Sequence, residues 1–253
     1  MKIAARILTA VRSLTDTSTE TGPDGRLLPP PRLRTLVAGG PDPEWYVEGG
    51  RLGAASILNI LESNALDIPQ FGSILDFGCG CGRVISHWPE LTQAPLHGCD
   101  LNSRLLRWSR RHLAFATFQL NKLAPPLLYE SESFDLVYGL SVLTHLPATL
   151  QRRWVQELTR VLKSGGYLIL STHGDAYLEE MTDVERQHYE AGELVVRDGP
   201  AGSNECAVFH PSGILAGPLT EGLLRIDRQA EGAIGNPRQD LTLLRKPQQP
   251  PRS

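Results

Sequence analysis

The run Asp76-Phe77-Gly78-Cys79-Gly80-Cys81-Gly82 sets three alternate glycines behind a carboxylate. Glycine reaches positive φ freely and carries no Cβ. Such a run turns the backbone sharply and lets a ligand lie against bare main chain. A second acid, Asp100, follows about twenty positions later, where an acid can accept both hydroxyls of a ribose. The spacing is G-x-G-x-G, not the G-x-G-x-x-G/A of folds that hold a pyrophosphate at a helix N-terminus. Asp76 would repel a pyrophosphate. It suits a ligand with a positive centre or an amino group.

These residues need a frame, and the surrounding pattern supplies one. Short apolar strands alternate with helical stretches of ten to fifteen residues, the mark of βαβ units and a parallel sheet. The strands are read at 73–77, 96–100, 116–120, 134–138 and 167–171. Helices are read at 53–66, 83–90, 103–113 and 147–162, the last ended by Gly165-Gly166. Past 172 the alternation breaks: 174–190 is polar and helical, and 193–197 with 205–209 flank a turn and read as an inserted hairpin. Strands at 223–227 and 240–244 close the domain. The expected fold is α/β: a Rossmann-like, doubly wound, mostly parallel seven-stranded sheet with helices on both faces and an inserted hairpin or lid.

With these pieces in order, the chain resembles the class I S-adenosylmethionine-dependent methyltransferases. The matching blocks are Ile74-Leu75-Asp76-Phe77-Gly78-Cys79-Gly80-Cys81-Gly82-Arg83 and Gly98-Cys99-Asp100-Leu101-Asn102. Then come Ser133-Phe134-Asp135-Leu136-Val137-Tyr138, continuing to Leu143-Thr144-His145-Leu146, and Leu162-Lys163-Ser164-Gly165-Gly166-Tyr167-Leu168. The resemblance implies S-adenosyl-L-methionine as cofactor. Gly78, Cys79, Gly80 and Gly82 would cradle its methionine part, and Asp76 would sit by its amino group. Asp100 would hold the ribose hydroxyls and Leu101 would flank the adenine. Asn121 falls where the family often has an acid that contacts the adenine amino group; it keeps an acceptor oxygen and loses the charge. Tyr138 would line the site near the methyl group.

Methyl transfer from a sulfonium has an activated leaving group, so positioning does most of the work. A hydroxyl nucleophile gains from a general base. His145, after the fourth strand, and His173, after the fifth, stand at the mouth of the crevice and are the catalytic candidates, with a structural role open for each. His210, on the hairpin, is a weaker one. The insertion 174–222 is the expected acceptor-binding segment, with Tyr177, Tyr189, Arg197, Phe209 and His210 as wall residues. The Asn/Asp-Pro-Pro-Tyr/Phe motif of relatives that methylate base and amide nitrogens is missing; the position reads Tyr138-Gly139-Leu140-Ser141. The expected activity is methyl transfer to a small-molecule acceptor, on oxygen. The competing reading is a scaffold that binds the cofactor without catalysis.

Composition bounds the rest. With 25 basic against 28 acidic residues, the net charge of -3 gives no global grip on nucleic acid, so no nucleic acid partner is expected. The cysteines 79, 81, 99 and 206 match no zinc spacing, so no metal is expected and reduced thiols in a cytoplasmic protein are. No apolar run reaches the length of a membrane span. The domain reading is a partly irregular N-terminal arm over 1–45, with a faintly amphipathic basic start and helix barred at Pro29-Pro30-Pro31. The methyltransferase domain follows over 46–246, then a flexible tail over 247–253.

Overall fold

The computed structural model describes residues 20–248 except positions 24, 198, 204 and 237. The basic start of the chain and tail positions 249–253 lie outside the described residues.

A short hairpin, β1 (Glu20–Thr21) and β2 (Leu27–Leu28), leads into helix α1 (Pro31–Ala38). The partly irregular arm expected here thus includes a helix. Pro31 takes the first helical position, where its missing N–H is no loss and its fixed φ is already helical. Gly39 ends the helix at φ 73°, donating its N–H to the Thr35 carbonyl. Helix α2 (Pro43–Glu62) begins well before position 53, capped by the Asp42 side chain, which accepts from the Trp45 N–H. The expected boundary at 45/46 thus falls inside a helix. The helix is glycine-rich where other segments press on it: a Cβ at Gly50 would stand 2.6 Å from the Arg83 carbonyl oxygen.

The sheet then builds as β3 (Ile74–Phe77), β4 (Leu96–Asp100), helix α3 (Ser103–His112), β5 (Ala116–Leu120), β6 (Phe134–Gly139), helix α4 (Ala148–Val161) and β7 (Leu162–His173). Helix α5 (Asp183–Glu190) and the antiparallel pair β8 (Val195–Arg197) and β9 (Ala207–Phe209) form the insertion. Strands β10 (Leu224–Gln229) and β11 (Gln239–Arg245) finish the chain. The order across the sheet is β10-β11-β7-β6-β3-β4-β5. The central five strands run parallel, and β11 is antiparallel to both its neighbours. The seven strands read from the pattern are all present, and the inserted hairpin joins the sheet through one pairing, His173 with Phe209.

Alternation along β3 assigns the two faces. Ile74 packs with Ile57, Ile60 and Leu61 of α2, and Leu75 and Phe77 pack with Trp154, Val155 and Leu158 of α4. Two local readings change. Residues 83–90 hold only turns and a 3₁₀ turn, Ile85–His87, not an α-helix. Gly165-Gly166 do not end α4, which stops at Val161; they lie in a bulge of β7, where the register with β6 jumps from Phe134↔Leu162 to Leu136↔Tyr167. Among the described residues no helix is long and apolar enough to cross a membrane.

Helix α2 is tied to the far end of the fold by one hydroxyl. Ser56 is fully buried; its Oγ donates to the Leu52 carbonyl and accepts the Ile234 N–H, both at 2.9 Å. Ser56→Ala strands that N–H and costs about 1–2 kcal/mol, measured as a lower urea midpoint at unchanged m-value.

Candidate functional site

Strand order reverses at β3: the chain leaves it toward β4 and β5, then returns on the other side with β6 and β7. The crevice beyond the carboxyl ends of β3, β4 and β6 is the switch point where ligands of open α/β sheets bind. The 78–82 loop sits there. Gly78, Gly80 and Gly82 all have positive φ, at 79°, 57° and 73°. The strand beside the loop holds it in place. The N–H groups of Gly78 and Cys79 both donate to the Cys99 carbonyl, and the Gly80 N–H donates to Asp100 Oδ2 at 2.9 Å. Asp100 Oδ1 accepts the Asn102 N–H at 2.7 Å.

The expected cofactor residues divide into two groups. Asp76, Gly78, Gly80, Asp100, Leu101 and Asn121 gather around the crevice. Leu101 is 42% exposed and follows Asp100 directly on the rim. Asn121 donates from Nδ2 to the Lys122 carbonyl and leaves its Oδ1 buried with no partner among the described residues. The side chains of Cys79 and Tyr138 are packed into the core, so Cys79 can reach a ligand only through its backbone. Cys79 packs in the α2-side core, and a Cβ at Gly98 would stand 2.9 Å from its Sγ. A Cβ at Gly82 would meet Leu113 at 2.3 Å, so that glycine serves helix packing. Tyr138 is fully buried behind Asp76, where its hydroxyl accepts from Trp88 Nε1 at 2.8 Å and bonds the Asp76 carboxyl. All four cysteines are buried free thiols.

Asp76 is only 4% exposed, and burial pushes its pKa up to about 7. The Tyr138 hydroxyl and the Ile85 N–H pull it down, the Asp100 charge adds to the rise, and Arg83 opposes it. Asp100 is also raised by burial, against the backbone N–H groups that hold its charged form. Two acids thus share one crevice and disfavour each other's ionisation. A cation placed between them would be stabilised by both. Arg83 lies beside Tyr46 at the other side of Asp76, and its own pKa is lowered by burial.

The insertion closes over this crevice. The Gly202 N–H donates to the His145 carbonyl at 2.8 Å, and a Cβ on Gly202 would come within 2.8 Å of Leu101. The turn around 199–203 therefore spans from His145 to Leu101. His145 Nδ1 sits 2.8 Å from the Cys206 carbonyl, and His173 Nδ1 3.2 Å from the Val208 carbonyl. A carbonyl only accepts, so in each neutral imidazole Nδ1 carries the proton and Nε2 is bare. Tyr177 and Phe209 stack on His173 at centroid distances of 4.7 and 5.2 Å, and that burial, with His145 beside it, lowers its pKa to about 4.

Other wall candidates turn away. His210 is buried, and its Nε2 donates to Gln151 Oε1 at 2.9 Å, which ties the insertion to α4. Tyr189 donates to Asp175 and to the His210 carbonyl. Arg197 pairs with Glu185 and lies over the Phe209 ring. Three residues that the sequence did not single out join the two candidate bases instead: Ser141, Ser171 and Gln239. Ser171 Oγ accepts the Ser141 N–H and donates to Gln239 Oε1. Gln239 Nε2 donates to Ser141 Oγ at 2.9 Å and faces His173 Nε2 at 3.4 Å. The one available signal was the polar 236–240 turn ahead of the last strand.

Residues 74–166 match the family model described as a methyltransferase domain. Among curated proteins, a malonyl-(acyl-carrier protein) O-methyltransferase from Herminiimonas arsenicoxydans is 34% identical over 43% of this chain and 40% of its own length. A tRNA N(3)-methylcytidine methyltransferase from Schizosaccharomyces pombe is 26% identical over 41% of this chain and 45% of its own. The chain therefore spans under half the length of these curated relatives. Among solved structures, the 1,6-didemethyltoxoflavin-N1-methyltransferase of Burkholderia thailandensis, crystallised with S-adenosylhomocysteine, aligns over 79% of both chains with a TM-score of 0.56 and 16% identity. Sequence match and architecture agree with the glycine loop and its two acids: residues 74–166 form a methyltransferase domain, in a fold shared with S-adenosylmethionine-dependent methyltransferases of known structure.

Proposed function

We propose that the protein transfers a methyl group from S-adenosylmethionine to the oxygen of a small-molecule acceptor held under the 174–222 insertion. The observation that carries the cofactor assignment is the orphaned Asn121 Oδ1, buried on the same rim as Asp100 and the exposed Leu101. A buried acceptor without a donor costs about 1–3 kcal/mol, and the amino group of an adenine removes that cost. In this reading Asp100 accepts the ribose hydroxyls on the lone pairs that Gly80 and Asn102 leave free. Leu101 covers one face of the base. Asp76 faces the α-ammonium, whose charge offsets the burial that raises its pKa. Arg83 faces the carboxylate. When bound, S-adenosylmethionine supplies a methyl group on a sulfonium.

The chain's own residues then position the acceptor. The 199–203 turn excludes water, and the bare Nε2 of His145 or His173 takes the acceptor's hydroxyl proton. Both curated relatives above are methyltransferases acting through tethered or polymeric acceptors by name, on oxygen and nitrogen respectively. The missing Asn/Asp-Pro-Pro-Tyr/Phe motif and the two bases support the oxygen reading here.

Calorimetric titration with S-adenosylhomocysteine tests the cofactor assignment. The expected result is micromolar binding, with a proton released from Asp76 near pH 6.5. The release appears as a binding enthalpy that changes with the ionisation enthalpy of the buffer. A folded protein that does not bind loses the assignment. Binding without any methyl acceptor turnover favours the scaffold.

A further inference from the structure

Two imidazoles, two serine hydroxyls and one carboxamide meet at the mouth of the crevice, brought by three parts of the chain: 141–145, 171–173 and Gln239. Their donors and acceptors can be counted. Ser171 Oγ accepts the Ser141 N–H at 2.6 Å, so its single proton goes to Gln239 Oε1 at 2.8 Å. That bond orients the carboxamide, and Gln239 Nε2 must be its donor end. One of its protons goes to Ser141 Oγ at 2.9 Å; the other points to His173 Nε2 at 3.4 Å. Ser141 Oγ in turn stands 3.5 Å from His145 Nε2 and 3.2 Å from Thr144 Oγ1. Ser141 holds its place at φ 58°, a left-handed conformation that costs a non-glycine residue energy. The Ser171 hydroxyl and the Gln239 amide maintain it there.

We infer that the Ser141–Gln239 pair is a positioning device that holds the Nε2 atoms of His145 and His173 toward the methyl acceptor as hydrogen-bond acceptors, and that the methyl acceptor therefore enters as an uncharged hydroxyl rather than a carboxylate or phosphate. This deepens the proposed function and rests on it. The long contacts to the two Nε2 atoms, 3.4 and 3.5 Å, are the ones a hydroxyl of the acceptor replaces. Among the described residues, three arginines of the insertion and of the β10–β11 segment already have carboxylate partners. Arg228 is taken by Asp175 and Asp240, Arg238 by Glu180 and the Tyr177 ring, and Arg197 by Glu185. Burial between Tyr177 and Phe209 keeps His173 from supplying a positive charge. On transfer, the oxygen–carbon bond forms as the carbon–sulfur bond breaks. The hydroxyl proton passes to Nε2 of one imidazole, and the sulfur leaves as a neutral thioether.

The test uses the full chain, nitrogen-15 labelled, at pH 7 with and without S-adenosylhomocysteine. Long-range proton–nitrogen spectra of the imidazoles report which ring nitrogen is protonated. His173 is expected as a neutral Nδ1–H tautomer, its proton directed at the Val208 carbonyl. In Gln239→Leu, the His173 Nε2 resonance is expected to shift because that atom loses the Gln239 amide facing it, while the Nδ1–H tautomer persists and affinity for S-adenosylhomocysteine stays within twofold. An Nε2–H or doubly protonated His173 in the parent overturns the inference, as does a Gln239→Leu spectrum identical to the parent. A second arm incubates the enzyme with S-adenosylmethionine labelled in its methyl group and the small-molecule fraction of a cell lysate. Label in base-stable ethers supports the inference, and label released by base as methanol, from methyl esters, overturns it. Failure to bind S-adenosylhomocysteine overturns the proposed function instead, and the tautomer spectra of the free protein still decide the positioning role.

Discussion

Asp76→Asn makes the protein more stable at pH 8 by about 2–4 kcal/mol, the order expected when a carboxyl raised by roughly three pKa units no longer has to ionise on folding. The acid is 4% exposed and burial pushes its pKa up to about 7 from the ordinary carboxylate range. In the folded state it holds its proton more tightly than in the unfolded chain. Its contribution is therefore most favourable below pH 4 and is lost as pH rises to about 7, beyond which the cost is constant. Asparagine never ionises. It still offers an oxygen to the Tyr138 hydroxyl and the Ile85 N–H, so the local hydrogen bonds survive. Thermal unfolding of the two proteins should nearly coincide near pH 4, separate up to pH 7, and stay separated above it. Equal melting curves at pH 8 would show that Asp76 carries no such penalty. The same variant should bind S-adenosylhomocysteine more weakly, because the charge facing the ammonium is gone. A residue that costs stability and serves binding is the expected pattern at a functional site.

Asp100→Ala lowers affinity for S-adenosylhomocysteine at least tenfold, about 1.4 kcal/mol or more. Two effects add. The bonds to the ribose disappear; hydrogen bonds to a charged group contribute about 1.5–3 kcal/mol each. The carboxylate also accepts from Gly80 and Asn102, so alanine leaves the middle of the glycine loop without its tie to β4. Asp100→Asn separates the effects. Its one oxygen can serve Gly80 or Asn102, and its amide group meets the other N–H donor head-on. Asparagine should recover part of the thermal stability and little of the affinity. Affinity unchanged in Asp100→Ala would remove the ribose contact. The titration needs the melting temperature of each variant beside it, so that lost folding is not read as lost binding.

The parallel core was legible because its signals are local. An apolar run, a glycine break and a polar helix face identify a βαβ unit within about thirty residues, and 74–77, 96–100 and 116–120 carry those marks. The same locality explains the misreadings. Pro29-Pro30-Pro31 looks like a bar to helix, yet a proline at the first helical position begins one, as Pro31 and Pro43 do. The direction of Tyr138 depends on strand pairing. β6 sets it on the face shared with Trp88 and Asp76, so it supports the acid from behind instead of lining the crevice. Residues 83–90 read as a helix although Pro89 lies within them; a proline there removes a donor and turns the preceding residue from helix, and the segment holds only turns and a 3₁₀ turn.

By itself the sequence determined the sheet, the glycine loop and the two acids, since each is a matter of residue type and short spacing, and the family resemblance they carry implied the cofactor. Only the tertiary structure decided what each histidine faces. His145, His173 and His210 look alike in the chain. Folding hands His210 to Gln151 and ties Nδ1 of the other two to the carbonyls of Cys206 and Val208. Ser141, Ser171 and Gln239 come from the ends of three strands that are neighbours only in the assembled sheet, so their hydrogen-bond circuit has no trace in sequence spacing. A proton's position on a ring depends on what the ring faces across space, and that is settled when β11 pairs with β7 and the insertion folds over both.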